Sequence, residues 1–206
     1  MKNKLFTSTQ KQAPPAFDNA FMESMTRTPP YLPFVIFIPV ILFFLYRAIF
    51  ITATPLWQIA LLWFSAMVFW TALEYFIHRY LLHFKTDSEF GKKMMYSLHG
   101  IHHDYPNDTS KLFLPLWVTI PGGFGFYFLF LWLIGPELID AFFSGLVASY
   151  LFYDFNHYAV HHLNLKNPVF QFLKKHHLSH HFKDPSRAFG FTTSVWDNVF
   201  GTPRKK

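Results

Sequence analysis

The sequence predicts an all-α integral membrane protein, with four transmembrane helices in two hairpins and a cytoplasmic helical cap that carries the histidines. Three observations predict this fold. The 206 residues are 51% hydrophobic and 21% aromatic but only 15% charged, which leaves too little polar surface for a water-soluble globule. Four apolar stretches are long enough to cross a bilayer. All twelve histidines lie between His78 and His181, in four groups.

Composition also limits the chemistry. Cysteine is absent, which excludes disulfides, thiolate-bound zinc and cysteine-held iron–sulfur clusters. The formal net charge is +6. Because most aromatic residues lie in the apolar stretches rather than among the basic residues, we interpret this excess as a sign of membrane topology and expect no nucleic-acid partner.

The first two spans follow an N-terminal arm. Residues 1–30 form this arm, predicted to be cytoplasmic and loosely ordered because prolines interrupt any long helix. The first span is predicted over residues 31–51, about 31 Å at ~1.5 Å per residue, which matches the hydrocarbon core of a bilayer. After a turn at Pro55, a second span over residues 56–77 returns the chain to its starting side.

The third apolar stretch, residues 112–134, is interrupted by Pro121 and several glycines. It could be a kinked spanning helix or a re-entrant pair of half-helices. A re-entrant stretch would make the fourth span, residues 138–155, carry its histidines to the opposite face, so we favour four spanning helices. Every Lys and Arg except Arg47 then lies on one side, which the positive-inside rule makes cytoplasmic.

The cap is predicted from residues 78–111 and 156–206. The second segment is predicted to contain a helix over residues 169–181. Ser194 and Asp197 are spaced as in a capping box that opens a further short helix.

The histidines are spaced as metal ligands. In His99-Gly-Ile-His102-His103 three imidazoles stand at i, i+3 and i+4, which share one helical face, and His177-Leu-Ser-His180-His181 repeats the pattern. A histidine ring nitrogen is the commonest metal ligand, and converging rings are costly to bury unless something binds them. His162 and His176 are extra members of their groups, for which we expect a supporting or surface role rather than ligation.

Carboxylates accompany two of the groups. Asp154 lies three residues before His157 on the face that also carries His161, where it is placed to accept the second ring N–H. Glu74 lies four residues before His78 and is placed to do the same.

The spacing indicates two metal ions rather than one. His78 and His83 are five residues apart, about 140° around an ideal helix, and the neighbours His102 and His103 diverge by about 100°. Imidazole suits zinc, copper, iron and nickel alike. A redox pair of irons would use this many ligands and leave a position for oxygen, whereas four-coordinate zinc would need several ions.

Two other classes are disfavoured. Bis-histidine haem would need histidines within the spans rather than beside them. A metal transporter would need ionisable residues along a pathway inside the bilayer, where the spans offer only Asp140 and Glu74.

At these residues the chain resembles the fatty acid hydroxylase superfamily (sterol desaturase-like) of integral membrane oxygenases. The similarity runs from about Leu56 to Thr202 and is greatest to the catalytic domain of the fatty acid 2-hydroxylase branch, which the closing segment Gly190 to Thr202 matches in character. The motifs that carry it are His78-x4-His83, His99-x2-His102-His103, Tyr153-Asp-x2-His157-x3-His161 and His177-x2-His180-His181.

The resemblance implies a dimetal centre on the cytoplasmic face, with iron in the active enzyme and zinc able to take its place in a purified sample. It implies insertion of one oxygen atom from O2 into a C–H bond of a lipid. In this branch, the bond is on the carbon next to the carbonyl of a fatty acyl chain, free or in a sphingolipid. Tyr153 and Asp154 match positions tied to activity. The implied metal ligands are His78, His83, His99, His102, His103, His157, His161, His177, His180 and His181.

The resemblance also implies how these ligands divide between the metals. One metal is expected to be held by His83, His99, His102, His157 and His161. The other is expected to be held by His78, His103, His177, His180 and His181.

Many members of the branch begin with a fused haem domain of the cytochrome b5 type, whereas only 30 residues precede the first span here. We therefore expect a separate electron donor, cytochrome b5-like or ferredoxin-like, received by a basic cytoplasmic face. The substrate is expected to be a lipid from the bilayer. The expected location is the endoplasmic reticulum if the source is eukaryotic and the inner membrane if it is bacterial.

Two rival functions stay open. The first is another hydroxylase or desaturase of the same superfamily, acting on a sterol, a sphingoid base or a carotenoid. The second is a membrane protein that handles or transports metal without redox turnover.

Overall fold

The computed structural model describes residues 6–205, and every regular element among them is helical. The α-helices are α1 (Ala20–Met25), α2 (Leu32–Tyr46), α3 (Leu56–Phe76), α4 (Glu89–Met95), α5 (Ile101–Asp104), α6 (Leu116–Ile134), α7 (Pro136–His162), α8 (Pro168–Phe182) and α9 (Val195–Val199). Wider π-helical turns cover Arg47–Ile51, Ile77–Leu82 and Tyr96–Gly100, and a 3-10 turn covers Thr109–Lys111.

Four helical stretches are long and apolar enough to cross a membrane, which confirms this part of the predicted fold. They are Leu32–Ile51, Leu56–Leu82, Thr109–Ile134 and Pro136–His162. The last two differ in detail from the predicted spans. Helix α6 runs without a break through Pro121, so it is not a pair of half-helices. Helix α7 continues past residue 155, and its last two turns therefore carry His157 and His161.

The chain forms two compact units. The first, which we call the histidine unit, contains the chain up to Pro30, Thr71–Pro115 and everything from Asp154 onwards. The second, the apolar unit, contains Tyr31–Trp70 and Leu116–Tyr153.

The apolar unit has an aromatic core built from helices α2, α3, α6 and α7. Phe37, Phe142, Phe143 and Leu146 are buried in it. The Arg47 side chain donates from Nε to Oδ2 of the fully buried Asp140 at 3.0 Å. This pairing explains how the unit tolerates a carboxylate among apolar helices, because a buried charge is stable only when it is paired.

The prediction that the N-terminal arm is loosely ordered is wrong for residues 6–30, which pack into the histidine unit. Residues 1–5 lie outside the described part of the chain. Arg27 donates to Glu23 at 2.8 Å, to Asp108 at 3.2 Å and to Ser110 at 3.0 Å. The ammonium of buried Lys111 contacts Glu23 at 2.8 Å. The ion pairs that join the arm to residues 108 and 111 link partners 81 and 88 residues apart in the sequence. Such contacts leave no local sequence pattern from which the arm's order could be predicted.

Substituting Arg27 by glutamine should release the arm. The change leaves the nearly buried carboxylate of Asp108 without its cation, at an expected cost of about 1–3 kcal/mol in local stability. Hydrogen exchange of residues 6–30 should accelerate about tenfold or more, whereas Lys11→Gln, which removes a charge from an exposed side chain, should leave it unchanged.

The same contact predicts a pH dependence. Burial raises the pKa of Asp108, but hydrogen bonds from the Ala13 amide and from Ser110, together with the charge of Arg27, outweigh this and hold its pKa below the usual 3.8. A carboxyl whose pKa is depressed in the folded state stabilises that state above its unfolded pKa and loses this effect as the pH falls through the folded pKa. The arm should therefore stay protected at pH 7 and lose protection below about pH 4, which exchange measured across this range would test.

Candidate metal centre

Ten histidines of the histidine unit converge in two groups of five. Within each group, one ring nitrogen from every histidine lies within 4.8 Å of the others. The first group is His78, His83, His99, His103 and His180, and the second is His102, His157, His161, His177 and His181. These are the ten histidines that the resemblance names as ligands, although their metal-binding role itself stays a prediction.

The predicted division of these histidines between two metals is wrong. His83 and His99 belong with His78, His103 and His180, whereas His102, His157 and His161 belong with His177 and His181. Helix geometry explains the observed grouping. Among these ten, each i, i+4 pair stays together because its members share a face, and adjacent histidines separate because they diverge by about 100°. The i, i+4 pairs are His99 with His103, His157 with His161, and His177 with His181.

The π-helical turn Ile77–Leu82 overturns the expectation that His78 and His83 face different metals. An ideal α-helix would separate them by about 140°. The wider turn instead makes residues i and i+5 neighbours, and the two Nε2 atoms lie 3.3 Å apart. Sequence spacing alone cannot show this, because it assumes regular α-helical geometry.

The ring nitrogens are spaced as the corners of a coordination shell. In the first group, Nε2 of His99 lies 3.1 Å from that of His78 and 3.0 Å from that of His103. In the second group, His102 and His157 approach to 3.0 Å, and His161 and His177 to 2.8 Å. Two nitrogens bound at ~2.1 Å to one ion and at right angles to each other would be about 3.0 Å apart, so the observed spacing fits a metal ion.

The positions of the ring protons in the first group also fit a bound cation. His78 donates from Nδ1 to the carbonyl oxygen of Phe189, and His180 donates from Nδ1 to that of Arg187, each at 2.7 Å. A neutral imidazole has one N–H, so Nε2 of both rings carries only a lone pair. Nε2 of His83 contacts both, at 3.3 Å and 3.0 Å, and can donate to only one. At least one contact therefore opposes two lone pairs, an arrangement that a cation between them would stabilise.

Burial keeps the remaining rings neutral and partly unpaired. Burial is the main cause that holds the pKa of His102 and His181 well below the usual 6.5, and it lowers the pKa of His83 to about 4. Neutral imidazole is the form that binds metals. Neither ring nitrogen of buried His181 has a hydrogen-bond partner among the described residues, although buried polar atoms normally have one. A metal would satisfy one of these nitrogens.

The segment Arg187–Thr192 orients two histidines of the first group through its backbone carbonyls. Its carbonyl oxygens accept the His78 and His180 ring protons, as described above. Between them, Ala188 adopts the left-handed conformation with φ of +60°, and its amide donates to the carbonyl oxygen of Thr202 at 2.8 Å. The segment therefore fixes the proton of both rings on Nδ1 and leaves Nε2 facing the other histidines of the group.

Two buried carboxylates fix this segment. Glu74 accepts the backbone N–H groups of Phe191 and Thr192, both at 2.7 Å. Asp197 accepts those of Phe189 and Gly190, at 2.9 and 2.7 Å. Glu74 is thus not the partner of His78 that we predicted, because the His78 ring proton goes to a backbone carbonyl.

Asp197 is not part of a capping box either. Helix α9 starts at Val195, and Ser194 makes no side-chain cap. The fully buried Asp197 carboxylate instead also contacts Nε2 of His176 at 2.9 Å and accepts from Thr202 Oγ1 at 2.8 Å. His176 therefore supports the centre from outside both groups, as predicted.

A glycine lies at the tightest point of the segment. A Cβ at Gly190 would collide with the Thr193 carbonyl oxygen and lie 2.9 Å from Asp197 Oδ2. Gly190→Ala should therefore cost about 1–3 kcal/mol of stability and lower metal content. Gly122→Ala, where nothing lies within 4 Å of the added Cβ, should be neutral or stabilising by up to ~1 kcal/mol. Thermal unfolding and metal analysis of the two variants side by side would contradict this account if they behaved alike.

The remaining predicted residues lie as follows. The Tyr153 ring packs against Trp70 in the apolar unit at 5.8 Å, and Asp154 is buried in the histidine unit. Their catalytic role stays a prediction. His162 lies outside both groups and is half-buried.

The chain is similar to known proteins in family, in sequence and in structure. Residues 63–202 match the family model described as fatty acid hydroxylase. The chain is 35% identical over 202 residues to dihydroceramide fatty acyl 2-hydroxylase FAH1 of Arabidopsis thaliana, covering 95% of this chain and 85% of that protein. It is 37% identical over 194 residues to ceramide very long chain fatty acid hydroxylase scs7 of Schizosaccharomyces pombe, covering 91% of this chain and 54% of that protein. The solved structure of full-length scs7p, in which only the hydroxylase domain is visible, matches with a TM-score of 0.83 at 32% identity, over 92% of this chain and 74% of that one.

Proposed function

Because the chain belongs to the fatty acid hydroxylase family, we propose that it is a membrane enzyme that uses O2 to hydroxylate carbon 2 of a fatty acyl chain, free or within a sphingolipid. The observation that carries this proposal is the pair of five-histidine groups whose ring nitrogens converge at metal-ligand spacing. The position of the hydroxyl and the lipid class come from the relatives, which are named for fatty acyl 2-hydroxylation and for ceramide.

The two groups would each hold one metal ion, the first through His78 and its four neighbours and the second through His102 and its four neighbours. We expect iron in the working enzyme, although imidazole donors also accept zinc in a purified sample. When bound, a pair of irons supplies the redox chemistry that activates O2 for insertion of one oxygen atom into a C–H bond.

The chain's own residues set the donor atoms. The Phe189 and Arg187 carbonyls hold the protons of His78 and His180 on Nδ1, so Nε2 is free to bind. Asp197 holds the Phe189 carbonyl in place through the Gly190 amide of the same peptide, and Glu74 anchors the segment through the Phe191 amide. We retain Tyr153 and Asp154 as active-site residues on the strength of the resemblance.

We also propose the topology predicted from charge, in which the four spanning helices form two hairpins and the histidine unit is cytoplasmic. Support comes from the placement of basic residues, since Arg47 is the one Lys or Arg inside the predicted spans and the two connecting loops on the other side, residues 52–55 and 135–137, contain none. The substrate would enter from the bilayer, and a separate protein would supply electrons. The membrane would be the endoplasmic reticulum in a eukaryote or the inner membrane in a bacterium.

A product assay tests the function. Purified protein in a lipid bilayer, loaded with Fe(II), is given a fatty acid or a dihydroceramide with 18O2 and a chemical reductant. We expect a 2-hydroxy product that carries one labelled oxygen atom and does not form without O2 or reductant. A hydroxyl at another carbon, or a new double bond without added oxygen, would contradict the 2-hydroxylase assignment and favour another reaction of the family.

A further inference from the structure

Helix α8 has two chemically distinct faces. His176, His177, His180 and His181 are buried on one face. Residues 175, 178 and 182 recur at i, i+3 and i+7 and therefore form the opposite face, and Lys183 follows at the end of the helix. This opposite face, with the C-terminal segment, lines a groove that we call the basic surface. It consists of Lys175, Leu178, Phe182, Lys183, Arg204 and Lys205.

The cations of the basic surface are partly held in place. The Arg204 guanidinium lies 5.2 Å from the centre of the Phe172 ring, within the range of a cation–π contact. Lys205 contacts the Asp184 carboxylate at 2.7 Å. Asp184 is the one acidic side chain that contacts these cations among the described residues, so the groove keeps a positive net charge. Pre-ordered charges of one sign suit recognition of an oppositely charged protein.

An aromatic side chain connects this surface with the metal centre. Phe182 is 40% exposed, and its ring centre lies 5.8 Å from that of His181. His181 belongs to the second histidine group and is the preceding residue in the chain. The basic surface therefore begins one residue away from a candidate metal ligand.

We propose that the basic surface is the docking site for an acidic one-electron carrier protein that reduces the metal centre. This inference rests on the proposed function, which requires an outside reductant. In R–H + O2 + 2 e⁻ + 2 H⁺ → R–OH + H2O, one oxygen atom enters the C–H bond and the other leaves as water. The carrier supplies the two electrons in two successive one-electron transfers. Docking over Phe182 brings the carrier next to His181, because the two residues are consecutive and their ring centres are 5.8 Å apart.

Charge reversal on the basic surface tests the docking site. The full-length protein in phosphatidylcholine nanodiscs is titrated with a soluble cytochrome b5 haem domain of net negative charge. Lys175→Glu combined with Lys183→Glu should slow association about tenfold or more at low ionic strength, and added salt should reduce the difference. The control is Lys92→Glu with Lys166→Glu, which changes the net charge equally at two exposed lysines outside the groove. It should leave association near that of the unmodified protein.

Cross-linking maps the contact directly. A zero-length reagent that joins carboxylates to amines should link the carrier to Lys175 or Lys183. Links confined to other lysines, or equal slowing in both double variants, would overturn the proposal. It would also be overturned if the Lys175→Glu, Lys183→Glu variant bound the carrier normally and, in a parallel sample in nanodiscs that contain phosphatidylserine, lost only phosphatidylserine adducts in native mass spectrometry, because the surface would then be a membrane contact.

Failure of the docking site and failure of the proposed function are distinguishable. With a chemical reductant, the Lys175→Glu, Lys183→Glu variant should make product at the rate of the unmodified protein and lose only the carrier-driven rate. If the unmodified protein makes no product with any reductant, the proposed function fails. If the variant keeps its carrier-driven rate, the docking site fails while the function stands.

Discussion

His180→Ala is expected to abolish hydroxylation, by more than about 100-fold, and to lower the bound metal from about two ions per chain towards one. His180 supplies a nitrogen 3.0 Å from that of His83 and is fully buried. Its Nδ1 proton is donated to the Arg187 carbonyl, which fixes the ring orientation and directs Nε2 into the group. Metal analysis of the purified variant, beside the product assay, measures both effects.

The matched control is His162→Ala. His162 is also a histidine of the histidine unit, but it belongs to neither group of five. Its removal should leave metal content unchanged and activity within about twofold, as for a substitution away from the site. A His180→Ala variant that retained two metal ions and full activity would refute the dimetal assignment, whatever His162→Ala did.

The spans and the convergence of these ten histidines could be predicted because both rest on local patterns. A run of about twenty apolar residues has few alternatives to a spanning helix. Histidines at i and i+4 share a face whatever the surrounding fold, and the three such pairs among the ten grouped histidines, one of them His99 with His103, remain together in the structure. The i, i+3 pairs, His99 with His102 and His177 with His180, lie in different groups. Of the predicted shared face, only the i, i+4 spacing therefore indicates which histidines group together.

The rest depends on irregular backbone or distant partners. The π-helical turn that unites His78 with His83 breaks the regular period on which spacing arguments rest. Arg27 and Asp108 form an ion pair across 81 residues, and Phe191 and Glu74 a hydrogen bond across 117. Neither leaves a mark in the local sequence.

Adjacent histidines take on meaning once the grouping is known. His102 and His103 supply different groups, and so do His180 and His181. Adjacent side chains of a helix point in directions about 100° apart. Each of these adjacent pairs can therefore supply both groups only because both groups lie beside the same helical turn. The rings of His103 and His181, from different groups, stack with centres 4.1 Å apart. The two groups are therefore in contact, as a pair of cooperating ions would require.

Asp197→Ala is the second change with a large expected effect, because one carboxylate satisfies four buried donors. Its loss leaves the amides of Phe189 and Gly190, the Thr202 hydroxyl and the His176 ring without their acceptor. Unpaired buried donors cost about 1–3 kcal/mol each, though not additively, so we expect a total of about 3–5 kcal/mol. For a chain of this length, thermal unfolding should shift down by about 10 °C.

The effect on the metal follows from the same contacts. The Phe189 amide is held by Asp197, and the Phe189 carbonyl holds the ring proton of His78. Once the segment is released, His78 can take the other tautomer or rotate, and the first group should bind its metal about 10- to 100-fold more weakly.

Two further variants separate a positioning role from simple unfolding. Asp197→Asn keeps the shape and one acceptor oxygen, so it should fold with an intermediate loss of stability and still bind metal more weakly. Asp87→Ala, which removes an exposed carboxylate, should change neither quantity. If Asp197→Asn kept full metal affinity while losing stability, Asp197 would serve the fold alone. In that case the tautomers of the first group would have to be set by the histidines themselves, through the metal they share.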